Sequence, residues 1–445
     1  MDFEVAKAVS SRWQFLRRFP YGFARLYCSC TQPRTFSRTA IAVVLIGSIW
    51  ATGGGQVWAG DAEGEAAKSD KAFTKWTQAL WPEAQAKGIS RAVFDRALKG
   101  LTFDPDVLRL SENQPEFSTP IWDYIERRVS ADRIAAGQDQ FEQHRELLGK
   151  LEAAYGVDRH VLTAIWGLES YYGQSAGARS AIRSLASLGF KGKRKAFGRT
   201  QLIAALKILE NEDIAADKLV GSWAGAMGQP QFIPTTYLDY AVDFDGDGKR
   251  DIWDTTSDAL GSAANYLKIS GWQPDKGWGY EIQLPDRFDY ARTGQNSVKS
   301  IRQWASLGVE RVRGRRFPRL NDKAAIILPA GSTGPVFLIL NNFRVILRYN
   351  NSIAYALAIC HLADRIAGYS GLSRPWPKTS VPLALKSERE ELQRRLRAKG
   401  YRTGKIDGII GPKTRAAVRA YQKAKGLQAD GYPSLEFLNA LREDS

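Results

Sequence analysis

The sequence predicts a mainly α (α+β) protein with small β elements, followed by a second, smaller helical unit at its C-terminal end. Three observations carry this prediction. From Lys71 to about Gly368, apolar residues recur at helical spacing between turn signals, and long alternating runs are few. Tyr280 to Leu284 and Val336 to Leu340 read as short strands. Gly371 to Pro382, rich in proline, serine and glycine, then interrupts the pattern before helical periodicity returns.

Taken in order, the first element is a targeting segment. A basic stretch ending at Arg38 runs into the apolar Ala40 to Trp50, and the small-residue pattern Val57-Trp58-Ala59 precedes the acidic start at Asp61. Residues 1–60 therefore read as a secretory signal peptide with a long n-region. The apolar run is short for a spanning helix, which needs about 20 residues, so an uncleaved inner-membrane anchor is the second reading. The expected location is the periplasm. Two of the three cysteines, Cys28 and Cys30, fall inside this segment. The mature chain then holds Cys360 alone, which allows no internal disulfide and reads as a buried structural residue.

The main unit spans residues 71–368, with helical stretches at Phe73–Lys99, Ile121–Tyr155, Val161–Tyr172, Gln201–Glu210 and Ser352–Ile366. A linker covers 369–384. The C-terminal unit, 385–445, carries two amphipathic patterns, marked by Leu392 and Leu396 and then by Val418 and Tyr421, around a glycine-rich turn region. Composition agrees with more than one folded unit, since 445 residues at 44% hydrophobic can bury a sizeable core. The formal net charge of +16 points to an anionic polymer as partner, and the export signal disfavours nucleic acid.

Four segments carry candidate chemistry. In Ala164 to Gly173, Ile165 and Trp166 lie four and three residues before Glu169, so one helical face joins a carboxylate to apolar groups, with Asp158 as N-cap. Desolvation there would make Glu169 a better proton donor, as a general acid for glycoside cleavage requires. A glutamate near a helix end is more often a solvated charge. Gly221 to Pro234 combines small residues, which allow close backbone approach, with Ser222, Gln229 and Gln231 as neutral hydrogen-bonding groups suited to sugars. Asp243 to Asp254 places oxygens at alternate positions with glycine sixth, as in the opening of an EF-hand-type calcium loop. Its ligands would be Asp243, Asp245, Asp247, the Lys249 carbonyl and Asp254, with Asp258 as the alternative last ligand in a longer loop. Asn342 to Ser352 reads as a short extended run that delivers Tyr349 and Asn350 to its end, with Tyr355 just beyond.

These four segments, in this order, resemble the lytic murein transglycosylase B family over about Phe73 to Gly368. The resemblance implies a lysozyme-like catalytic domain with Glu169 as the single acid and base. It implies that Ser222, Gln231, Tyr266, Tyr349, Asn350, Tyr355 and Tyr124 line the saccharide cleft, and that Asp258 closes the calcium loop. The C-terminal unit resembles a peptidoglycan-binding module through Leu392-Gln393, Gly400-Tyr401, Asp407-Gly408, Gly411, Thr414, Gln422 and Asp430-Gly431.

The implied reaction cuts the bond between N-acetylmuramic acid and N-acetylglucosamine without water. Glu169 protonates the linking oxygen, the substrate's 2-acetamido group stabilises the charge at C1, and the carboxylate then takes the C6 hydroxyl proton to close a 1,6-anhydro ring. Most glycosidases use two carboxylates, and no second one accompanies Glu169 in these segments. The expected partners are peptidoglycan strands and other cell-wall enzymes, the expected state is a monomer, and no cofactor beyond a structural calcium is expected. A hydrolytic muramidase and a non-catalytic wall-binding protein are the alternatives.

Overall fold

The computed structural model describes residues 59–112 and 119–444. The predicted export signal lies outside them but for its last two residues. No described helix is long and apolar enough to cross a membrane.

Helices α1 (Ala59–Gln78), α2 (Trp81–Ala86), α3 (Arg91–Leu98) and α4 (Pro105–Glu112) open the described chain. The stretch expected as one helix over Phe73–Lys99 is three. Pro82 stands in the first turn of α2, Gly88 adopts φ +70° after it, and the Ser90 hydroxyl caps α3 by accepting from the Val93 N–H. Likewise Ile121–Tyr155 divides into α5 (Ile121–Arg128), α6 (Ala131–Gln143) and α7 (Arg145–Tyr155), with Ser130 capping α6. A periodicity count misses such breaks because each piece keeps its apolar face toward the same core.

Next come α8 (Arg159–Ser170), β1 (Arg179–Ser180), α9 (Ala181–Phe190), α10 (Lys195–Glu210), β2 (Val220–Gly221), α11 (Pro234–Tyr240) and α12 (Thr256–Ile269). Strands β3 (Gly279–Gln283) and β7 (Val336–Ile339) match the two expected and pair antiparallel, with Tyr280 opposite Leu338. They form the middle of a five-stranded sheet, ordered β4-β6-β7-β3-β5, with β4 (Lys299–Ser300), β5 (Glu310–Arg311) and β6 (Lys323–Ile327); α13 (Ile301–Ser306) packs Ile301 and Trp304 into the same apolar cluster.

The extended run expected within Asn342–Ser352 is a helix, α14 (Asn341–Tyr349), followed by α15 (Ile353–Ile366). A short apolar run reads equally well as strand or helix, and here the tertiary structure decides. Asn342 is fully buried and works as a hub at the helix start: its Oδ1 accepts from Gln273 N, and its Nδ2 donates to the carbonyls of Gln273 and Lys276. Cys360, on α15, is unbridged and fully buried, and burial pushes its thiol well above its ordinary range.

Two cores support the site. One joins α8, α12, α14 and α15 through Leu162, Ile165, Leu260, Phe343, Ile346 and Ile359; the other joins α1 to α3 with α9 to α11. The C-terminal unit is α16 (Lys386–Ala398), α17 (Pro412–Ala424) and α18 (Leu435–Glu443). The sequence pattern showed two helices there. The third, capped by Ser434, adds Phe437, Leu438 and Leu441 to a core built on Leu392, Leu396, Val418 and Tyr421.

Candidate active site

Helix α8 delivers Glu169. Asp158 caps its start, accepting from the N–H groups of His160 and Val161, and Val161 to Leu168 are buried throughout. Glu169 itself is half-buried in the last turn. The helix ends at once, because Tyr171 and Tyr172 take left-handed φ values of 50° and 59°. Such conformations cost energy for bulky residues and persist only where packing enforces them. Here the enforcement is visible. The Tyr172 ring crosses the face of Trp166 and lies on Gly167, and its hydroxyl donates to the Arg133 carbonyl at 2.7 Å.

Tyr355, in the first turn of α15, meets Glu169 from another helix. Its hydroxyl donates to Glu169 Oε1 at 2.5 Å. Burial, reinforced by the Glu169 charge, raises the Tyr355 phenol well above its ordinary range, so it stays a donor. We expect Tyr355→Phe to lower kcat about tenfold with little change in KM, since a hydrogen bond to a charged group contributes about 1.5–3 kcal/mol. Steady-state kinetics on soluble wall fragments would check this, and an unchanged kcat would refute a positioning role for Tyr355.

The α14 terminus brings the next group. The Tyr349 hydroxyl donates to the Pro230 carbonyl at 2.6 Å and is raised by burial and by Glu169; the neighbouring Asn350 leaves the helix in an extended conformation. Tyr266, on α12, donates to the Arg348 carbonyl at 2.7 Å. Phe232, Tyr266 and Tyr349 stack around one another with ring centroids 5.1–5.9 Å apart, and Tyr240 adds an edge at 4.8 Å. Tyr124 is buried on α5, close enough to act electrostatically on Tyr355, with the Arg128 guanidinium 5.6 Å from its ring.

The loop between β2 and α11 is braced by its own polar side chains. Ser222 Oγ accepts from the N–H groups of Ala224 and Ala226. Gln231 sits at φ 52° and donates to the carbonyls of Ala176 and Gly228. Gln229, read from sequence as a sugar-binding amide, is a buried strut instead. Its Oε1 accepts from Trp166 Nε1 at 2.8 Å and its Nε2 donates to the Trp253 carbonyl, tying the loop to α8. Sequence reasoning also missed Phe232, Tyr240 and Arg133, whose guanidinium lies 5.1 Å from the Tyr171 ring. None of these stands in a recognisable spacing; a helical wheel of α6 would not single out Arg133.

The acidic loop gathers four carboxylates. Oxygens of Asp243, Asp245, Asp247 and Asp258 lie within 4.8 Å of one another, a donor set suited to a hard cation. Asp258, in the first turn of α12, is fully buried and accepts from the N–H groups of Phe244 and Asp251. Asp254, expected at the twelfth loop position, is not in this group. It is exposed and pairs with Lys218 at 3.6 Å, because the chain turns at Asp251 and α12 supplies the closing carboxylate. Lys249 is exposed, with its N–H bonded to Asp247 Oδ1.

A profile of the transglycosylase SLT domain matches residues 72–364, which hold every group just described. The chain belongs to the transglycosylase SLT family. A profile of a putative peptidoglycan binding domain matches residues 386–441. The transglycosylase is 32% identical over 273 residues to membrane-bound lytic murein transglycosylase B of Escherichia coli (strain K12), covering 59% of this chain and 74% of that one. Among solved structures it is similar to SltB3 from Pseudomonas aeruginosa in complex with NAG-anhNAM-pentapeptide, at TM-score 0.81 and 49% identity over 83% of this chain and 99% of that chain. It is also similar to the Escherichia coli lytic transglycosylase Slt35 in complex with calcium, at TM-score 0.57 and 28% identity, covering 67% and 93%. This transglycosylase is thus a peptidoglycan lytic enzyme, a lyase acting on glycosidic bonds.

Proposed function

We propose that Glu169 alone serves as acid and then base in cutting the N-acetylmuramic acid–N-acetylglucosamine bond, leaving 1,6-anhydro ends. The observation that carries this reading is the Tyr355–Glu169 hydrogen bond at the carbonyl end of a buried helix. The carboxyl stands half-buried in the last turn of α8, placed to give one proton and take another. Ser222, Gln231, Tyr266, Tyr349, Asn350, Tyr355 and Tyr124 would line the cleft for the sugars, with the buried Phe232 ring packed against Tyr266 and Tyr349. The anhydro fragment held by the Pseudomonas aeruginosa relative supports the same outcome for this chain. The test is mass spectrometry of muropeptides released from purified wall: products lighter by one water are expected, and reducible muramic ends would overturn the non-hydrolytic reading.

The wall lies outside the cytoplasm, so the substrate supports export to the periplasm through the N-terminal segment. The C-terminal unit would hold the enzyme on its polymer.

The acidic loop fits calcium. Asp243, Asp245, Asp247 and Asp258 would hold it, and the relative crystallised with calcium supports that assignment. A divalent ion there would offset half of the four gathered carboxylate charges and fix Asp258 in the first turn of α12, which carries Tyr266 eight residues after Asp258. At calcium about tenfold above Kd, linkage gives about 1.4 kcal/mol, or a rise in Tm of about 2 °C over a chelated sample. Identical melting with calcium and with chelator would refute the site.

A further inference from the structure

The C-terminal unit contains a pocket of about 610 Å³ between the end of α16, the following loop and the start of α17, lined by Arg397, Tyr401, Arg402, Thr403, Lys413 and Ala416 among others. Its chemistry is one-sided. Ion pairs of this unit run through Lys386, Arg394, Arg395, Lys399, Lys425 and Arg442. Arg397, Arg402 and Lys413 enter none among the described residues. Thr403 gives an independent sign of a missing partner. It is 3% exposed, and its hydroxyl has no hydrogen-bond partner among the described residues. Buried hydroxyls are nearly always paired, and leaving one unpaired costs free energy.

The pocket is also preformed. Gln393, itself buried, accepts at Oε1 from the N–H groups of Asp407 and Gly408, and donates at Nε2 to Asp407, Thr414 and the Ile409 carbonyl. Thr414 Oγ1 donates to the Thr403 carbonyl. The Arg397 guanidinium bonds the Gly404 carbonyl across the loop. Tyr401 packs edge-on against the core residue Tyr421. A braced loop that sets three cations around an open space, with a buried unsatisfied hydroxyl on one of its lining residues, has the properties of an anion site.

We propose that this pocket binds a carboxylate of the wall polymer, with Arg402 and Lys413 supplying charge, Thr403 donating its hydroxyl, and Tyr401 packing against the neighbouring apolar atoms. The proposal rests on the wall-binding reading of the C-terminal unit and specifies which group of the wall it recognises. Two sources offer the same chemistry: the free carboxylates of stem peptides, and the lactyl carboxylates that muramic acid exposes when the peptides are absent.

The experiment uses the full chain carrying Glu169→Gln, so that the wall is not cut, and measures its co-sedimentation with purified sacculi. Arg402→Glu with Lys413→Glu is expected to weaken retention about tenfold, the worth of one charge-assisted hydrogen bond; Thr403→Val, which keeps shape, is expected to weaken it about threefold. Chemical amidation of the sacculi should lower retention of the Glu169→Gln parent to the level of the double variant. Amidase-stripped, peptide-free strands then assign the source: lost retention marks stem peptides, and kept retention marks lactyl groups. If neither the native chain nor the Glu169→Gln parent sediments, the wall-binding reading itself falls. If the parent sediments and the folded double variant, checked by melting, does so equally well, the wall-binding reading survives and the pocket assignment is overturned.

Discussion

Glu169→Gln is expected to abolish turnover, by at least about a thousandfold, while wall binding and thermal stability stay close to those of the parent chain. General acid–base catalysis by one positioned group contributes about 10²–10⁴; here one carboxyl performs both proton transfers, so the upper part of that range applies. Glutamine keeps the shape, and its carbonyl oxygen can still accept the Tyr355 hydrogen bond. It cannot deliver a proton or receive one. The substitution therefore separates chemistry from architecture. Anhydro-muropeptide release measured over time gives the rate, and co-sedimentation gives binding. Turnover within tenfold of the parent would sink the single-acid reading and send attention to another carboxylate; lost binding would mean that Glu169 holds substrate instead of transforming it.

What the sequence revealed of this site follows the range of each signal. The Glu169 helix was legible because its information is local: a capping aspartate at 158, an apolar face, and a carboxylate at its end. The Tyr355 hydroxyl that meets Glu169 lies 186 residues away, and no local pattern encodes that meeting. Only the family resemblance singled out Tyr355. Gln229 and Gln231 look alike in the sequence, as neutral amides in a small-residue loop. In the fold one is a buried strut under Trp166 and the other bonds neighbouring carbonyls, a difference set by where α8 passes.

The misread elements share a cause. Residues 342–347 are short and apolar, and strand and helix predict the same composition over so few positions; burial of Asn342 against 273–276 selects the helix. Counting twelve positions along the acidic loop reaches Asp254. The tertiary fold instead sets Asp258, from the first turn of α12, beside Asp243, Asp245 and Asp247, where it is fully buried and accepts two backbone N–H groups. Turn-scale chemistry was readable from residue types, whereas closure of a site by a distant element entered the sequence reading only as an alternative or through the family resemblance, and its geometry comes from the fold.

Gly167→Ala is expected to lower stability by about 3 kcal/mol and activity about a hundredfold, although residue 167 offers no chemistry. A Cβ at 167 would stand 2.5 Å from the Tyr172 ring, and a Cβ at Gly137 would stand 2.3 Å from its hydroxyl, so the ring fills a slot between α8 and α6 with no room on either side. Overpacking a filled site typically costs about 1–3 kcal/mol, and here relief requires moving a residue whose backbone is already left-handed. Tyr171 and Tyr172 end α8 directly after Glu169 and Ser170, so displacement of the ring shifts the carboxyl against Tyr355. A shift of about 1 Å can cost about a hundredfold in rate. Thermal melting and turnover together test this, with Gly149→Ala as the control. Gly149 lies inside α7 with nothing within 4 Å of an added Cβ, so alanine there should stabilise by about 0.5–1 kcal/mol through helix propensity and leave activity unchanged. If Gly167→Ala matches that control in both measurements, the Tyr172 slot does not position Glu169, and the left-handed helix end must be held by the Trp166–Gln229 brace instead.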